Sequence, residues 1–398
     1  MRILMISDVY FPRVNGVSTS IQTFRRDLIA ARHRVLLVAP EYPGRNPAAE
    51  IDVLRIPSRQ VPRDPEDRYM SRRAIRAAWP QIAEFQPDVV HIQTPFVAHY
   101  AGMEIARRLD VPLLETYHTY FEHYLQHYVP GVPTALLRSL SRRFTVRQCH
   151  QVDALISPSQ PMADVLQSYG VRTPLHVVPT GLNASRFRKG DGGRFRAAHG
   201  FGQRPMAVFV GRVAHEKNID FLLSMLPDLI GQVPDVLLVI AGEGPAENHL
   251  RREVARRELS ANVRFIGYMD RDTVLLDCYQ AADVFVFASR TETQGLVLLE
   301  AMAQGTPVVS TAVLGTAEVL RDTTGAIISQ ESALVFSDAV ALVLKDPALR
   351  AKLSVAAKAD AARWSSVQCA RRAADLYQDL VSRRAAERPD KILAEAKG

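Results

Sequence analysis

The stretch from Asp283 to Ser310 restricts the possible folds of this chain more than any other. It begins with Asp-Val-Phe-Val-Phe-Ala, a run of β-formers that predicts a buried parallel strand. A polar loop follows, then a helix that Gly295 opens and Gly305 and Pro307 close, and then another apolar run. This order predicts an open parallel α/β sheet, in which ligands bind at the carboxyl ends of the strands.

The loop after the first of these strands has the chemistry to bind a phosphorylated sugar. The backbone N–H groups of Gln294, Gly295 and Leu296 would point out of the helix N-terminus and attract an anion. Glu292 and Glu300 would face the same site. Carboxylates are poor phosphate ligands but accept hydrogen bonds from sugar hydroxyls. We therefore interpret the stretch as a phosphate site between two hydroxyl-binding acids, as a nucleotide sugar requires.

Length and composition indicate a folded protein with more than one domain. The 398 residues exceed one ordinary core and predict two or three domains. Cys149, Cys278 and Cys369 are scattered without Cys-x-x-Cys spacing, which favours a reducing cytoplasm over a disulfide framework or a zinc site. The start of the chain lacks a signal-peptide core, and no apolar run approaches the ~20 residues of a membrane span. We expect a cytoplasmic protein that is soluble or bound to a surface.

The positive charge is concentrated in the amino-terminal part of the chain. The first 150 residues hold 20 Arg, no Lys and 14 acidic residues, and so carry +6 of the net charge of +7. No nucleic-acid-binding motif accompanies this excess. An anionic membrane surface is therefore the partner that we expect, and nucleic acid is not.

Short apolar segments alternate with helical segments along most of the chain, which predicts two doubly wound parallel sheets. The predicted strands cover residues 2–7, 35–39, 53–56, 89–92, 112–116, 154–157, 175–178, 206–210, 236–241 and 263–267. Residues 17–31 are predicted to form a helix capped by Ser18 or Ser20, and residues 60–76 a loop that runs into a helix. We expect a first domain at 1–182, a linker at 183–204, a second domain at 205–365, a final helix at about 366–384 and a frayed tail at 388–398.

Residues 134–148 predict a basic amphipathic helix. Leu136, Leu137, Leu140 and Phe144 share one side, and the rest of the surface carries Arg138, Arg142, Arg143 and Arg147. Such a helix lies on a membrane interface or packs on the protein with a solvated basic face. The pattern alone leaves both interpretations open.

His118 follows a predicted strand and is therefore expected at a sheet edge where ligands bind. His123 and His127 have helical spacing, but no Glu stands between them as in His-Glu-x-x-His, and we expect no metal there. Asp270 and Asp272 precede a helix, where aspartates commonly cap the N-terminus, and we expect no metal there either.

Several of these motifs together resemble retaining family 4 glycosyltransferases. Glu292 and Glu300, with seven residues between them, match the E-x7-E motif of that family, and Glu-Ala-Met-Ala-x-Gly-Thr-Pro-Val-Val around it matches as well. Arg212 and Lys217, in Gly-Arg-Val-Ala-His-Glu-Lys-Asn, match the family's diphosphate-binding pair. The resemblance extends over roughly 1–384 and implies the GT-B fold, two Rossmann-like domains that face a cleft.

The resemblance also implies roles for individual residues. It implies a donor site formed by Gly16, Arg212, Lys217, Gly267, Glu292, Gln294, Gly295, Leu296 and Glu300. Arg212 and Lys217 would stabilise the leaving diphosphate without a metal cofactor, since fixed cations can take the place of an ion. Glu292 would bind the sugar and Glu300 the ribose, and His118 would hold the sugar hydroxyls. Closure of the two domains would exclude water from the transfer.

The stretch after His118 resembles the diacylglycerol glucosyltransferase branch, whose acceptors are lipids. This implies acceptor contacts by Tyr117, Tyr120 and Tyr124 and a peripheral location on the cytoplasmic face of the membrane. We therefore expect transfer of a hexose from a UDP-sugar to a lipid such as diacylglycerol. The base, the sugar and the acceptor stay open at this stage.

Four other functions remain. The first is a UDP-sugar- or GDP-mannose-dependent transferase that acts on a soluble or polysaccharide acceptor. A nicotinamide oxidoreductase also uses paired nucleotide-binding domains, but the chain lacks the Gly-x-Gly-x-x-Gly fingerprint. The presence of Arg212, Lys217, Glu292 and Glu300 argues against a non-catalytic binding module. A GT-B sugar epimerase would isomerise the free donor without any acceptor.

Overall fold

The computed structural model describes residues 1–42, 50–61, 64–118, 120 and 134–395. They form two compact units. The first unit is built mainly from residues 1–118, 135–181 and 366–395, and the second from residues 182–365. Each unit has its own parallel sheet.

The sheet of the first unit has seven strands in the order β3-β2-β1-β6-β7-β8-β9, and every neighbouring pair is parallel. Its strands are β1 (Arg2–Ile6), β2 (Arg34–Pro40), β3 (Val53–Ile56), β6 (Val89–Ile92), β7 (Leu113–Thr116), β8 (Ala154–Ser157) and β9 (Leu175–Val177). Its helices are Gly16–Ala30, Arg72–Ala77, Trp79–Phe85, Val97–Leu109, Thr134–Cys149, Gln160–Ser168 and Ser366–Glu395.

The sheet of the second unit has six parallel strands in the order β12-β11-β10-β13-β14-β15. Its strands are β10 (Met206–Val210), β11 (Leu237–Ala241), β12 (Val263–Gly267), β13 (Val284–Phe287), β14 (Val308–Ser310) and β15 (Ala326–Ile328). Its α-helices are Gly192–His199, Ile219–Ser224, Leu226–Gln232, Glu247–Arg256, Val274–Ala281, Leu296–Ala303, Gly315–Leu320, Ala333–Lys345 and Pro347–Ala362, and two 3-10 turns cover Ala184–Phe187 and His215–Lys217.

The central strands are buried because helices cover both faces of each sheet. All five residues of β10 and of β11 are buried. A strand with two covered faces needs apolar residues at consecutive positions, which explains the uninterrupted runs in the sequence. The predicted parallel α/β architecture is confirmed in both units.

Several local expectations were wrong. The side chain of Asn15, rather than Ser18 or Ser20, caps the first helix by accepting from the Ser18 N–H at 2.8 Å. Residues 58–61 and 64–70 are not a loop but pair as two antiparallel strands, β4 (Ser58–Val61) and β5 (Asp64–Met70). The last helix runs to Glu395, beyond the expected end near 384.

Residues 183–204 form part of the second unit rather than an extended linker. Phe195 is buried in the core of this unit. A Cβ on Gly190 would lie 2.4 Å from the backbone oxygen of Leu276, and one on Gly192 would lie 2.6 Å from that of Gln280. The glycines that indicated a linker therefore allow close packing against the helix Val274–Ala281.

The loops after β10 and β11 approach each other so closely that Gly242 has room for no side chain. A Cβ there would lie 2.0 Å from the carbonyl oxygen of Gly211, and the φ of 131° at Gly242 disfavours L side chains.

We expect Gly242→Ala to lower the free energy of unfolding by at least about 2 kcal/mol in urea denaturation. Gly231→Ala is the matched control, because its Cβ would meet nothing within 4 Å. Its stability should stay the same or rise by up to about 1 kcal/mol, and equal effects of the two substitutions would contradict the close approach.

Candidate active site

The strand order of the second sheet predicts where its ligand binds. The chain leaves β10 toward β11 on one side, while β13 lies on the other side of β10. In an open α/β sheet, such a reversal opens a crevice at the carboxyl ends of the two strands. Arg212 and Lys217 follow β10, and Glu292 follows β13. The sequence-predicted residues therefore lie at the loops that flank this crevice.

Lys217 and Glu292 are in direct contact. Lys217 Nζ lies 2.5 Å from Glu292 Oε1, and their side chains are 17% and 20% exposed. Asn218, the next residue, holds this turn to the sheet by donating from Nδ2 to the Ala288 carbonyl at 3.1 Å. A partly desolvated ammonium fixed in this way can stabilise an anion that develops nearby.

The loop that carries Glu292 is fixed by the loop after β14. The Gly315 N–H donates to the Glu292 carbonyl at 2.9 Å. A Cβ on Gly315 would lie 2.2 Å from the Thr293 carbonyl oxygen, so that only glycine fits at this approach. The position of the Glu292 backbone is therefore determined by packing.

The helix Leu296–Ala303 begins directly after this loop, as the sequence predicts. Gly295 is its N-cap residue with a φ of 94°, a conformation that glycine adopts without strain. Gln294 is 5% exposed. The first N–H groups of any helix have no partner within the helix, and they suit an anion. Binding of a phosphate here stays a prediction.

Glu300 is enclosed by other residues of the second unit. It is 2% exposed, Arg271 Nη2 donates to its Oε1, and the Tyr279 hydroxyl donates to its Oε2 at 3.3 Å. Arg186 Nε lies 4.0 Å from Oε1. Both oxygens thus have protein partners in this conformation, and a ribose hydroxyl would have to displace one of them or share an oxygen with it. Sequence reasoning missed these partners.

Of the predicted donor-site glycines, Gly267 is required by the backbone conformation, whereas Gly16 is not required by packing. Gly267 ends β12 with a φ of 68°, and its carbonyl accepts from the Gly242 N–H at 2.8 Å, so the backbone itself calls for glycine. A Cβ on Gly16 would meet nothing within 4 Å. Packing therefore does not explain Gly16, whereas close approach of a ligand to the backbone would.

The first sheet has the same reversal between β1 and β6, and Asp8 lies there. Its Oδ2 accepts from the Thr94 hydroxyl at 2.8 Å, and the Ala98 N–H donates to the same carboxylate. Burial raises the pKa of Asp8 to about 7, although these hydrogen bonds oppose the shift. No sequence pattern indicated this buried carboxyl group.

His118 lies at the carboxyl end of β7, as predicted, and contacts the neighbouring strand's loop. Its Nε2 lies 3.0 Å from Gln93 Oε1. Burial lowers the pKa of His118 to about 4 and that of His91 to about 3. His118 is therefore neutral at pH 7 and can both donate and accept a hydrogen bond.

These depressed pKa values predict a pH-dependent stability. As the pH falls from 6.5 toward 4, unfolded chains gain a proton at position 118 that folded chains lack, so the free energy of unfolding decreases. Urea denaturation at several pH values should show a smaller decrease for His118→Gln than for the unchanged protein. Asp8 shifts stability in the opposite direction but is common to both proteins. Equal slopes would contradict the burial of a neutral His118.

The helix Thr134–Cys149 packs with its polar side inward. Its buried residues include Ser141, Thr145 and Gln148. Its large exposed apolar residues are Leu136, Leu140 and Phe144, with exposed fractions of 51%, 52% and 39%. Their i, i+4, i+8 spacing forms a continuous stripe. We name this stripe, together with Arg143 and Arg147 on the same side, the apolar face.

Only two of the four predicted basic residues lie on the apolar face. Arg143 follows Leu140 by three residues and is exposed. Arg142 instead stacks over the Tyr169 ring, with 4.9 Å between its Cζ and the ring centroid, and Arg138 is half-buried. Helical spacing therefore puts Arg138 and Arg142 on a different side of the helix from the apolar face, although Arg142 is exposed.

The tyrosines predicted to contact the acceptor differ in how deeply they are buried. Tyr117 is 6% exposed, and its hydroxyl lies 3.2 Å from Thr145 Oγ1, so it holds the helix Thr134–Cys149 rather than lining a surface. Tyr120 is half-buried. Tyr124, like His123 and His127, lies outside the described residues.

Asp270 and Asp272 lie in the turn before the helix Val274–Ala281, but neither caps it, since its N-cap residue is Thr273 and it has no side-chain cap hydrogen bond. Asp270 Oδ1 accepts from the Asp272 N–H at 3.1 Å and from the Thr273 hydroxyl at 2.6 Å. Asp272 Oδ1 lies 2.8 Å from Arg186 Nη2. Their carboxylates thus have partners in the second unit.

Comparison with known proteins identifies the family. The family model described as "Glycosyltransferase Family 4" matches residues 14–186, and that described as "Glycosyl transferases group 1" matches residues 193–360. The alpha-monoglucosyldiacylglycerol synthase of Streptococcus pneumoniae is 34% identical over 78% of this chain and 71% of its own length. A GDP-mannose-dependent alpha-mannosyltransferase of Mycobacterium tuberculosis is 28% identical over 78% of this chain and 79% of its own length.

A solved structure shares the fold. The Anabaena protein HepE in complex with UDP and glucose has a TM-score of 0.74 at 17% identity, over 94% of this chain and 99% of that one. At this identity, the likeness concerns the fold alone. The family matches and the two parallel-sheet units agree with the fold that the motifs imply. The chain belongs to the group 1 and family 4 glycosyltransferases of GT-B fold.

Proposed function

We propose that this glycosyltransferase moves a hexose from a UDP-sugar to a lipid acceptor such as diacylglycerol, with retention of the anomeric configuration. The observation that carries the proposal is the fixed Lys217–Glu292 contact at the strand reversal of the second sheet. Arg212 and Lys217 bind the leaving diphosphate, and Glu292 binds the sugar. No metal cofactor takes part, because these cations offset the charge of the leaving group.

We propose retention because the motifs resemble those of retaining family 4 glycosyltransferases. The acids of the described site then bear on the route by which retention is reached. A double displacement needs a carboxylate nucleophile next to the anomeric carbon. Glu292 is engaged by Lys217, and Glu300 is enclosed by Arg271 and Tyr279. We therefore propose a front-face transfer that the departing diphosphate assists. His118, neutral at pH 7, holds the sugar hydroxyls.

The apolar face supports a lipid acceptor. Leu136, Leu140 and Phe144 are exposed on one helix, and two exposed arginines lie beside them. On a membrane surface, the apolar side chains of such a face would reach the acyl chains, and its guanidinium groups would reach the anionic head groups. Within the described residues, no helix is long and apolar enough to span a bilayer. We propose peripheral binding at the cytoplasmic surface, where the buried free cysteines stay reduced.

The names of the similar proteins favour a UDP-sugar donor and a diacylglycerol acceptor, but one of them points to a different donor. The pneumococcal relative is named for a glucosyldiacylglycerol, and HepE was crystallised with UDP and glucose. The mycobacterial relative is named for GDP-mannose, which makes a GDP-mannose-dependent transferase the second candidate.

Nucleotide release from a panel of donors tests the donor assignment. Purified protein is incubated with UDP-glucose, UDP-glucuronate, UDP-galactose or GDP-mannose, with and without diacylglycerol vesicles. We expect release of UDP from one UDP-sugar that depends on the vesicles. Release of GDP alone, or release that a soluble sugar supports and lipid does not, would overturn the proposal.

Turnover should continue in excess chelator. Asp270 accepts a hydrogen bond from the Asp272 N–H, Asp272 forms an ion pair with Arg186, and the proposed leaving-group cations are side chains. We expect the same rate of UDP release in EDTA as in manganese chloride. A rate that falls to background in EDTA and returns with manganese would show that the reaction needs an ion.

A further inference from the structure

His215, Asp220 and His249 form a cluster of potential metal ligands that the proposed transfer does not use. One ligand atom from each lies within 4.8 Å of the other two. His249 Nε2 lies 2.8 Å from Asp220 Oδ1, and the two imidazole centroids are 5.4 Å apart. Among the residues that the structure describes, no other group of three such side chains comes this close.

The backbone holds the three residues beyond the carboxyl ends of two neighbouring strands of the second sheet. His215 and Asp220 follow β10, and His249 lies near the start of the helix Glu247–Arg256, which follows the neighbouring strand β11. The two loops are joined by backbone hydrogen bonds, since the Ala246 N–H donates to the Val213 carbonyl at 2.9 Å. Small side-chain rotations are thus enough to bring the three ligand atoms to one ion.

An ion pair alone does not account for the cluster. The side chains of His249 and Asp220 are 40% and 41% exposed. An ion pair that is this accessible to solvent contributes little to the free energy of folding. A metal ion would bind both neutral imidazoles together with the carboxylate, and so engage all three side chains.

We propose that the His215–Asp220–His249 cluster binds one divalent transition-metal ion of the zinc class. Two imidazole nitrogens and one carboxylate oxygen are a donor set that suits zinc, and the exposure of the cluster lets water complete the coordination. A hard ion such as magnesium prefers oxygen ligands and is excluded. The three cysteines are buried and do not compete for the ion.

The proposed metal site lies beside the turn that carries Lys217, because His215 belongs to the same 3-10 turn, His215–Lys217. The Lys217–Glu292 and Asn218–Ala288 contacts hold this turn without an ion. Metal binding itself does not depend on the proposed transfer reaction, and its test uses no substrate.

Calorimetric titration of the metal-free, full-length protein with zinc chloride at pH 7.5 tests the proposal. We expect one ion per chain with a Kd in the micromolar range or below, and no binding of magnesium. His249→Gln should weaken zinc binding at least tenfold, and so should Asp220→Asn, which keeps the size of the side chain. His199→Gln, at an exposed imidazole outside the cluster, should leave zinc binding unchanged.

Thermal unfolding gives a second readout. Zinc should raise the Tm of the unchanged protein and of His199→Gln, but not that of His249→Gln or Asp220→Asn. Absence of zinc binding, or binding that the cluster substitutions leave unchanged, would overturn the proposal.

Discussion

Replacement of Lys217 by alanine is expected to lower turnover by ~10²–10³-fold, because it removes a fixed cation from the leaving diphosphate. Lys217 Nζ lies 2.5 Å from Glu292 Oε1, and the turn is held to β13 through Asn218. A lysine placed in this way needs little rearrangement when negative charge develops on the departing nucleotide. The measurement is the steady-state rate of UDP release at saturating donor.

The matched control for Lys217→Ala is Lys345→Ala. Lys345 is exposed at the end of the helix Ala333–Lys345, and its loss should leave turnover unchanged. Circular dichroism must show that both variants are folded. Near-native turnover of a folded Lys217→Ala variant would contradict the assignment of the diphosphate site.

The double substitution Leu140→Asp/Phe144→Asp is expected to weaken binding to anionic vesicles by about 100-fold or more. Insertion of two large apolar side chains contributes about 1.5–3 kcal/mol each when they are fully buried. The new carboxylates are also repelled by the anionic surface. Vesicle co-sedimentation measures the effect, and donor affinity should not change.

Leu334→Asp/Leu342→Asp is the matched control, because these leucines are 59% and 50% exposed on a helix of the second unit. It should bind vesicles as the unchanged protein does. Equal loss in both double variants would show that exposed leucine in general, rather than the apolar face, determines binding.

A pair of arginine variants separates the two sides of the helix Thr134–Cys149. Arg143→Gln/Arg147→Gln should weaken vesicle binding roughly thirtyfold, at about 1 kcal/mol for each basic side chain. Arg138→Gln/Arg142→Gln should have little effect, because neither residue lies on the apolar face: Arg142 is exposed but stacks on Tyr169, and Arg138 is half-buried. Equal binding of neutral and anionic vesicles would contradict the electrostatic contribution.

The sequence predicted the sheets well because buried parallel strands need continuous apolar runs. The bounds of β3, β6, β8, β10 and β12 agree with the predicted segments. The antiparallel strands β4 and β5 contain no continuous apolar run, and most of their residues are polar or charged. The two strands are paired by backbone hydrogen bonds, which leave no hydrophobic pattern in the sequence.

Helical periodicity in residues 134–148 predicted the helix but left its orientation open. The burial of Ser141 and Thr145 and the exposure of Leu140 decide it. Which side of a helix packs inward depends on the tertiary environment, and here hydrogen bonds such as that of Tyr117 to Thr145 hold the polar side. The structure thus strengthens one of two interpretations that the sequence treated equally.

The candidate site, too, was predicted in part from the sequence. Arg212, Lys217 and Glu292 were predicted at the carboxyl ends of the strands, and the structure places them there. The Arg271 and Tyr279 contacts of Glu300 were not predicted, because they join residues 29 and 21 positions apart on different elements. Local sequence patterns contain no information on such pairs.

The most direct test of the central claim is the identification of the product. The purified protein is incubated with UDP-glucose and diacylglycerol in anionic vesicles, and the lipid fraction is analysed by mass spectrometry and NMR. The account predicts a lipid glucoside in which the anomeric carbon keeps the α configuration of the donor, formed in equal amount to the released UDP. A β-linked product, or UDP release with free glucose and no glycolipid, would contradict it.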